Sequence, residues 1–396
     1  MTQLAIEGGT PIRSTLLPYG RQQVDKADIE AVVQVLQGNW LTTGPTVVEF
    51  EQAVTELVGV KEAVAVSNGT AALHATMYAL NIGPGDEVIT PAMTFAASAN
   101  CVVFQGGVPV FADVDPETLL LDPTQVEAKI TPRTKAIIAV DYAGQSCDYD
   151  SLWSIAQQHG LTLVADACHA LGGSYQGRPV GSLADLSTFS LHPVKPITTG
   201  EGGLITTNDP QLARRMRIFR NHGITSDHRQ REAQGSWFYE MVDLGYNYRL
   251  TDIQCALGLS QLHKLPAWVI RRQEIARCYD IAFAKIPAIL PLKRLQNIHH
   301  AYHLYVVRLD LEQLRVDRAM VFKALRAEGI GVNVHYIPVH LHPFYRQRFN
   351  TGPGDCPVAE AAYEQIISLP IFPAMRDEDV EDVITACHKV ITAYRR

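Results

Sequence analysis

The chain has 396 residues, of which 47% are hydrophobic and 19% are charged, and its formal net charge is −7, from 34 basic and 41 acidic side chains. This length suits one large globular core with a second, smaller domain. The acidic balance argues against a sequence-independent nucleic-acid binder, because such a protein needs a basic field to neutralise phosphates. We therefore expect no nucleic-acid partner.

Cysteine spacing and hydropathy narrow the class further. The seven cysteines are odd in number and no two lie within twenty residues of each other. This spacing predicts neither a Cys-x-x-Cys zinc pair nor a disulfide framework. The sequence shows no basic start followed by a long apolar run, and no stretch reaches about 18 consecutive apolar residues. We expect a soluble, cytoplasmic protein with no membrane partner.

Short apolar runs alternate with helical patterns between residues 60 and 205. Several runs are almost continuously apolar, which is typical of strands buried on both faces, as in a mostly parallel sheet covered by helices. The predicted strands are 62–67, 86–91, 108–114, 135–141, 161–167, 186–192 and 203–208, and the clearest helical patterns are 70–81 and 148–160. This alternation predicts α/β layering.

The C-terminal part changes in character. A long helical stretch runs from about residue 251 to 265 and continues past Pro266 to about residue 285. The following segments are an apolar run at 303–310, a helical pattern at 317–329, a second apolar run at 332–338 and a terminal helix at 376–394. This mixture predicts a smaller α+β domain. We expect a large domain of residues 1–265 and a small domain of residues 266–396.

Three segments at the ends of predicted strands contain candidate functional residues. The first is "SNGTAALH" (67–74). The strand ends at Ser67 and a helix begins at Thr70. The free N–H groups and the positive dipole of a helix start suit a phosphate, and Gly69 lets the backbone approach it closely. A plain N-cap without a ligand is the alternative.

The second piece is "LVADACHALGG" (163–173), in which Asp166 ends a strongly apolar run. A carboxylate there is costly to desolvate and needs a cationic partner or good donors. A pyridinium N–H would be such a partner. His169 follows three residues later and could lie over the same site, although a satisfied core histidine is the alternative.

The third piece is "FSLHPVKPITTGEGG" (189–203), in which Lys195 lies between Pro193 and Pro196 after a buried strand. A lysine held in such surroundings has a depressed pKa, which suits a Schiff-base nucleophile. Ser190 could add a hydroxyl to a phosphate site. The alternative is an ordinary surface lysine near a turn.

Together the pieces supply the contacts that pyridoxal 5'-phosphate requires. Lys195 would hold the aldehyde, and Asp166 would keep the ring nitrogen protonated. Ser190 and the helix start at Gly69 and Thr70 would hold the phosphate. The sequence therefore predicts pyridoxal phosphate as the cofactor.

Seven segments also occur in a recognisable order. They are "NWLTTGPTVVEFE" (39–51), "VSNGTAALHA" (66–75), "PGDEVITPAMTFAASAN" (84–100), "ADACHALGG" (165–173), "FSLHPVKPITTGEGG" (189–203), "LGYNYRLTDIQCALGLSQL" (244–262) and "VNVHYIPVHLHPFYR" (332–346). In this order the chain resembles the sugar aminotransferases of fold type I, the DegT/DnrJ/EryC1/StrS family, over nearly its whole length. The resemblance implies an aspartate aminotransferase-like α/β fold, with a large, mostly parallel seven-stranded sheet domain and a smaller C-terminal α+β domain.

Four segments resemble one branch of that family most closely, the branch acting on the 4-keto sugar of the pseudaminic acid pathway. They are "YGRQ" (19–22), "CHALGG", "HPVKPITTGEGG" and "VHYIPVHLHPFY". The implied reaction moves the amino group of L-glutamate to the C4 keto group of a UDP-linked 4-keto-6-deoxy-N-acetylhexosamine. The product is UDP-4-amino-4,6-dideoxy-N-acetyl-β-L-altrosamine. The alternatives are the same chemistry on another UDP- or dTDP-keto-sugar, and a PLP-binding sensor without turnover.

The resemblance also implies roles for individual residues. Lys195 forms the Schiff base and moves the proton, Asp166 pairs with the pyridine nitrogen, and His169 lies near the ring hydroxyl. Phe95 stacks on the ring. Asn247 reaches the phosphate of the neighbouring subunit, so a homodimer shares two sites.

The same resemblance places Gly69, Thr70 and Ser190 on the phosphate, and Arg249 on the glutamate carboxylate or the UDP diphosphate. Leu191 departs from the family's usual phenylalanine, which should change packing only. The implied substrate-binding residues are Tyr19, Asn39, Trp40, Leu41, Thr42, His192, Arg249, Asn333, Val334, His335 and Tyr336.

Two histidine clusters raise the alternative of a metal enzyme. They comprise His335, His340 and His342, and His299, His300 and His303. Neither has the His-Glu-x-x-His form of a zinc protease. We interpret the first cluster as substrate contact and packing and the second as surface and strand, and predict no metal site.

Overall fold

The structure of the protein is a computed structural model, and it describes residues 3–396. In chain order the strands are β1 (Glu62–Val66), β2 (Glu87–Pro91), β3 (Val108–Ala112), β4 (Thr134–Val140), β5 (Thr162–Asp166), β6 (Ser174–Tyr175), β7 (Arg178–Pro179), β8 (Leu186–Ser190), β9 (Gly203–Thr207), β10 (Ile289–Pro291), β11 (Ile298–His299), β12 (Tyr305–Leu309) and β13 (Ile366–Leu369). All seven strands predicted before residue 210 are present, each within two residues of its predicted bounds.

The helices alternate with these strands in the first part of the chain. They are α1 (Lys26–Leu36), α2 (Pro45–Val58), α3 (Gly69–Ala79), α4 (Ala97–Phe104), α5 (Pro123–Ala128), α6 (Tyr149–His159), α7 (Pro210–Phe219), α8 (His228–Ala233), α9 (Asp252–Leu262), α10 (Leu265–Phe283), α11 (Arg318–Ala327), α12 (Pro343–Phe349), α13 (Pro357–Gln365) and α14 (Asp377–Tyr394). The long helical stretch expected near residue 265 is two helices, because Pro266 opens α10 rather than interrupting one helix.

The main sheet has seven strands in the order β1-β9-β8-β5-β4-β2-β3. β9 is antiparallel to both of its neighbours, and every other adjacent pair is parallel. This confirms the predicted large, mostly parallel seven-stranded sheet and the α/β class. The carboxyl ends of β1, β2, β4, β5 and β8 therefore meet at one edge, which is where such sheets build their sites.

The strands are apolar on both sides because helices cover both faces of the sheet. Val64 packs in one cluster with Ala72 and Ile205. Its neighbour Ala65 points to the opposite face and packs in a second cluster with Leu204. Burial on both faces accounts for the continuous apolar runs in the sequence.

A second hydrophobic cluster lies in the C-terminal part. α10 contributes Val269 to the cluster that contains Ala65 and Leu204, and further along it contributes Ile275 to this C-terminal cluster. β10, β12, β13 and α14 also pack in the C-terminal cluster. Leu4 and Leu17, from the N-terminal segment, belong to this second cluster as well. The domain division at residue 265 stays a prediction.

The apolar run at 332–338 forms no strand. Asn333 makes an isolated bridge to Ser368 beside β13, and the N–H of Tyr336 then faces Met93 Sδ at 3.4 Å. The backbone leaves the edge of β13 after one bridge, so this segment reaches the main domain instead of extending the sheet.

None of the helices between residues 3 and 396 combines the length and the apolar character that a membrane crossing requires.

Candidate active site

A cleft of about 780 Å³ opens at the edge of the main sheet where the parallel strands end. Thirteen of the predicted site residues line it: Tyr19, Gly69, Thr70, Phe95, Asp166, His169, Ser190, His192, Lys195, Asn333, Val334, His335 and Tyr336. These residues come from the N-terminal segment, from the ends of four strands and from the 332–338 run. The fold thus brings together residues that lie far apart in the sequence.

Lys195 lies in the loop after β8, where its backbone N–H donates to the carbonyl of His192 at 2.9 Å. Its ammonium points into the cleft region beside His303, with Nζ and Nε2 3.5 Å apart. Burial lowers the pKa of Lys195, and the acidic groups of Cys168 and Asp166 oppose that shift. A lowered pKa raises the share of free amine, which is the nucleophilic form.

Asp166 is the last residue of β5 and is 6% exposed. Its Oδ2 accepts a hydrogen bond of 2.6 Å from Ser98 Oγ, which also lies 2.7 Å from Thr94 Oγ1. Its Oδ1 accepts a longer bond of 3.3 Å from the N–H of Cys168. Sequence reasoning missed Ser98 and Thr94, because no local pattern connects residues 94–98 to the end of β5.

The predicted phosphate site lies at the start of α3. Asn68 caps this helix by accepting a 2.8 Å hydrogen bond from the N–H of Ala71 at its Oδ1. The N–H groups of Gly69 and Thr70 precede the first helical bond and remain available to a ligand. Ser190 packs so closely that a Cβ at Gly69 would lie 2.9 Å from its Cβ. Asn68, at the N-cap, was missed although its residue type is a recognised signal.

His169 and Tyr336 also line the cleft and are joined by a hydrogen bond. The N–H of Ala143 donates to His169 Nδ1 at 3.3 Å, so Nε2 carries the ring proton and donates to Tyr336 Oη at 3.0 Å. Burial, together with the charge of Lys195, holds the pKa of His169 well below its usual value. The imidazole is therefore neutral. Burial likewise lowers the pKa of His335 to about 4.

His303 corrects the interpretation of the second histidine cluster as surface and strand. It is 5% exposed and lines the cleft beside Lys195. His300 is also buried, and only His299 is exposed, at the end of β11. The pattern "HHAYH" did not reveal this, because burial here depends on packing against α10 and the main domain. In the first cluster His340 is buried and pairs with Glu360 at 2.9 Å.

Six predicted site residues do not line this cleft: Asn39, Trp40, Leu41, Thr42, Asn247 and Arg249. Leu41 and Thr42 instead pair with the start of α9. Asn247 is exposed on its loop. Arg249 donates to Asn221 Oδ1 at 2.9 Å and lines a separate pocket of about 310 Å³ with four other arginines: Arg214, Arg217, Arg220 and Arg229. Their predicted roles stay predictions.

Among residues 3–396, no group of three or more His, Cys, Asp or Glu side chains is arranged to hold a metal ion.

The cleft residues fit pyridoxal phosphate. A buried carboxylate, Asp166, and an amine of lowered pKa, Lys195, share one cleft with a helix start that has free N–H groups. Phe95 is 60% exposed, so its face is available to a flat ring. A side chain at Gly69 would collide with Ser190, so glycine lets the start of α3 lie against the end of β8. Each contact that the cofactor requires is therefore present in the chain.

Comparisons with known proteins identify chains that are similar over nearly the whole length. The chain is 43% identical over 381 residues to the spore coat polysaccharide biosynthesis protein SpsC of Bacillus subtilis, covering 96% of this chain and 98% of that protein. It is 36% identical to the solved structure of Helicobacter pylori PseC, an aminotransferase involved in the biosynthesis of pseudoaminic acid, with a TM-score of 0.89 and coverage of 96% and 100%. The PLP-form structure of Spr1654 from Streptococcus pneumoniae is 34% identical, with a TM-score of 0.89 and coverage of 96% and 99%.

A family model described as the DegT/DnrJ/EryC1/StrS aminotransferase family matches residues 22–388. The match covers the whole main sheet, the cleft lining except Tyr19, and most of the C-terminal part. The cofactor is pyridoxal phosphate. The chain belongs to the DegT/DnrJ/EryC1/StrS aminotransferase family.

Proposed function

We propose that this sugar aminotransferase transfers the amino group of L-glutamate to the C4 keto group of a UDP-linked 4-keto-6-deoxy-N-acetylhexosamine. The product would be UDP-4-amino-4,6-dideoxy-N-acetyl-β-L-altrosamine. The observation that carries the aminotransferase part is the presence of Lys195, Asp166 and the start of α3 in one cleft. The substrate part is supported by the likeness to PseC over nearly the whole of both chains.

The chain's own residues have distinct tasks in this reaction. When bound, pyridoxal phosphate supplies an electron-accepting ring that carries the amino group between the two substrates. Asp166 provides the buried carboxylate for a protonated ring nitrogen, and Ser98 fixes the carboxylate orientation at 2.6 Å. Lys195 Nζ, whose pKa is lowered, would carry a proton between the substrate carbon and the bound cofactor in each half of the reaction. Neutral His169 donates through Nε2 and holds the Tyr336 hydroxyl at the cleft wall.

We also propose that two copies of this chain share their active sites. The segment before Asn247 exposes large apolar side chains, with Trp237 85%, Met241 63% and Leu244 67% exposed. An apolar surface of this kind is typical of an interaction site. It is continuous with Asn247, the residue assigned to the neighbouring cofactor phosphate.

The first experiment is an absorbance spectrum of the purified protein with pyridoxal phosphate, before and after adding glutamate. We expect a cofactor band in the wild type that changes with glutamate, and its loss in Lys195→Ala. Lys135→Ala, which removes an exposed lysine of β4, is the matched control and should behave as the wild type. A wild type that takes up no pyridoxal phosphate would contradict the assignment.

The nucleotide of the sugar substrate is then tested. The assay measures the 2-oxoglutarate released from glutamate with the UDP-linked 4-keto sugar and with its dTDP counterpart. We expect turnover with the UDP sugar to exceed that with the dTDP sugar by at least about tenfold, which is a transition-state difference of about 1.4 kcal/mol. Faster turnover with the dTDP sugar would leave the aminotransferase assignment intact but would show that the substrate carries dTDP instead of UDP.

Site sharing is tested by mixing two inactive variants, Lys195→Ala and Asn247→Ala. In a mixed dimer one site has the Lys195 of one chain and the Asn247 of the other, both intact. We expect mixing to restore roughly a quarter of wild-type activity, since half of the dimers are mixed and each has one intact site. If mixing restores nothing although mixed dimers form, Asn247 acts in its own chain or not at all.

A further inference from the structure

Among residues 3–396, His303 is the one side chain within hydrogen-bond distance of the lysine nitrogen. Its Nε2 lies 3.5 Å from Lys195 Nζ, and within residues 3–396 no carboxylate forms an ion pair with this lysine. The distance is at the outer limit of a hydrogen bond, so the amine is held but not fixed. His303 belongs to none of the roles assigned so far.

A buried arginine fixes the backbone that carries His303. Arg272 in α10 is 2% exposed, and its Nη1 donates to the carbonyls of Tyr302 at 3.0 Å, His303 at 3.4 Å and Ile371 at 2.9 Å. A buried guanidinium is expensive to desolvate, and here Nη1 finds three carbonyl partners whereas Nε has none among the described residues. Arg272 therefore ties the 302–303 backbone to the segment after β13.

Gly144 fixes the other side of the same backbone. It has φ +105°, and a Cβ there would lie 2.8 Å from the N atom of Tyr302, and 2.9 Å from both the carbonyl oxygen of His169 and the N atom of His303. Only glycine permits this approach. The backbones of His169 and His303 are consequently held close together, and their rings lie 4.4 Å apart between centroids.

The surroundings keep His303 neutral. Its burial and the nearby groups Lys195, His169, Arg272 and His335 all hold the pKa of His303 well below its usual value. The acidic groups close to the lysine are Asp166 and Cys168. A protonated lysine nitrogen can only donate, and a neutral imidazole offers one acceptor nitrogen. Nε2, which faces Lys195, can be that acceptor.

We propose that His303 is a positioning residue for Lys195: its neutral Nε2 accepts a hydrogen bond from the protonated lysine nitrogen and so sets where that nitrogen lies in the cleft. This inference rests on the proposed role of Lys195. His303 would bind Lys195 of its own chain, so the proposal does not depend on which sugar receives the amino group. Nδ1 of His303 is buried and has no hydrogen-bond partner among the described residues, so the ring has no competing interaction on its other side.

The test is a pH titration of the cofactor absorbance band in the holoenzyme, from about pH 6 to pH 10, because this band reports the protonation of the lysine nitrogen once it is joined to the cofactor. His303→Gln places an amide near the Nε2 position, whereas the shorter His303→Asn places it near Nδ1, out of reach of Lys195. His300→Asn is the matched control, because its amide oxygen can still accept near the Nδ1 position. His300 is buried nearby but accepts from the N–H of Tyr302 and does not line the cleft.

Loss of an acceptor for the protonated form lowers the pKa of the lysine nitrogen. We therefore expect His303→Asn to lower the titration midpoint by about one pH unit, a tenfold change in the protonation equilibrium. His303→Gln should reverse most of the shift, and His300→Asn should leave the midpoint unchanged. Should His303→Asn not fold, His303→Leu replaces it with the same expectation.

Equal midpoints in the wild type, His303→Asn and His303→Gln would overturn the proposal, as would the same shift in all three histidine variants. The proposed function fails separately. If Lys195→Ala keeps the wild-type band, the lysine assignment is wrong regardless of how the His303 variants behave.

Discussion

Gly69→Ala is the substitution that tests the phosphate site most directly. A Cβ at this position would lie 2.9 Å from Ser190 Cβ and 3.3 Å from Ser190 Cα and Oγ. Carbon atoms in contact prefer separations of about 3.5–4.0 Å, so the start of α3 and the end of β8 must move apart by roughly 0.6 Å. The atoms in the way are near the backbone of a buried strand and cannot swing aside.

Two effects of opposite sign decide how much Gly69→Ala changes the free energy of unfolding. Overpacking of this kind costs about 1–3 kcal/mol. Replacing glycine by alanine in a helix gains at most about 1 kcal/mol, and less in its first turn. We expect a net loss of about 1–2 kcal/mol in the free energy of unfolding and a roughly tenfold weaker affinity for pyridoxal phosphate, since tenfold corresponds to about 1.4 kcal/mol.

The assay is a cofactor titration followed by absorbance, together with urea unfolding of the cofactor-free protein. Gly83→Ala is the matched control, because a Cβ at Gly83 has no atom within 4 Å. Adding Ser190→Gly to Gly69→Ala removes the side chain in the way, so stability should recover. The affinity should stay low, because the Ser190 hydroxyl is lost. Gly69→Ala protein with unchanged stability and cofactor affinity within twofold of wild type would refute the steric argument.

Two further predictions concern buried polar groups. Ser98→Ala leaves Oδ2 of Asp166 without its 2.6 Å donor. Because a hydrogen bond to a charged group contributes about 1.5–3 kcal/mol, we expect the affinity for pyridoxal phosphate to fall by about 10- to 100-fold. Ser182→Ala, which removes a surface hydroxyl, is the control in the same cofactor titration, and equal affinities of the two variants would contradict the prediction. Burial lowers the pKa of His74 to about 4, from an unfolded value of 6.5. The unfolded chain then binds more protons than the native one between these values, so stability should fall as the pH drops from 6.5 to 4, by about 3 kcal/mol from His74 alone. Urea unfolding should show a smaller pH dependence for His74→Gln, and an unchanged dependence would contradict the assignment.

The sequence by itself determined the features that depend on short stretches of chain. The seven strands were predictable because burial on both faces makes each run almost continuously apolar. Asp166 and Lys195 were identifiable because a costly polar group at the end of such a run needs a reason. Both then proved to line one cleft, since parallel strands bring their carboxyl ends to the same edge.

The tertiary structure alone decided which distant groups support those residues. Ser98 lies 68 positions before Asp166, and His303 lies 108 positions after Lys195. The pattern "HHAYH" was interpreted as surface and strand. The contacts of Arg272 and Gly144 with its backbone nevertheless hold its last histidine, His303, buried beside Lys195. Periodicity reports only whether a position is buried, whereas the identity of its neighbours follows from how whole elements pack. The supporting residues of the site are therefore set by long-range packing, which leaves no local signal in the sequence.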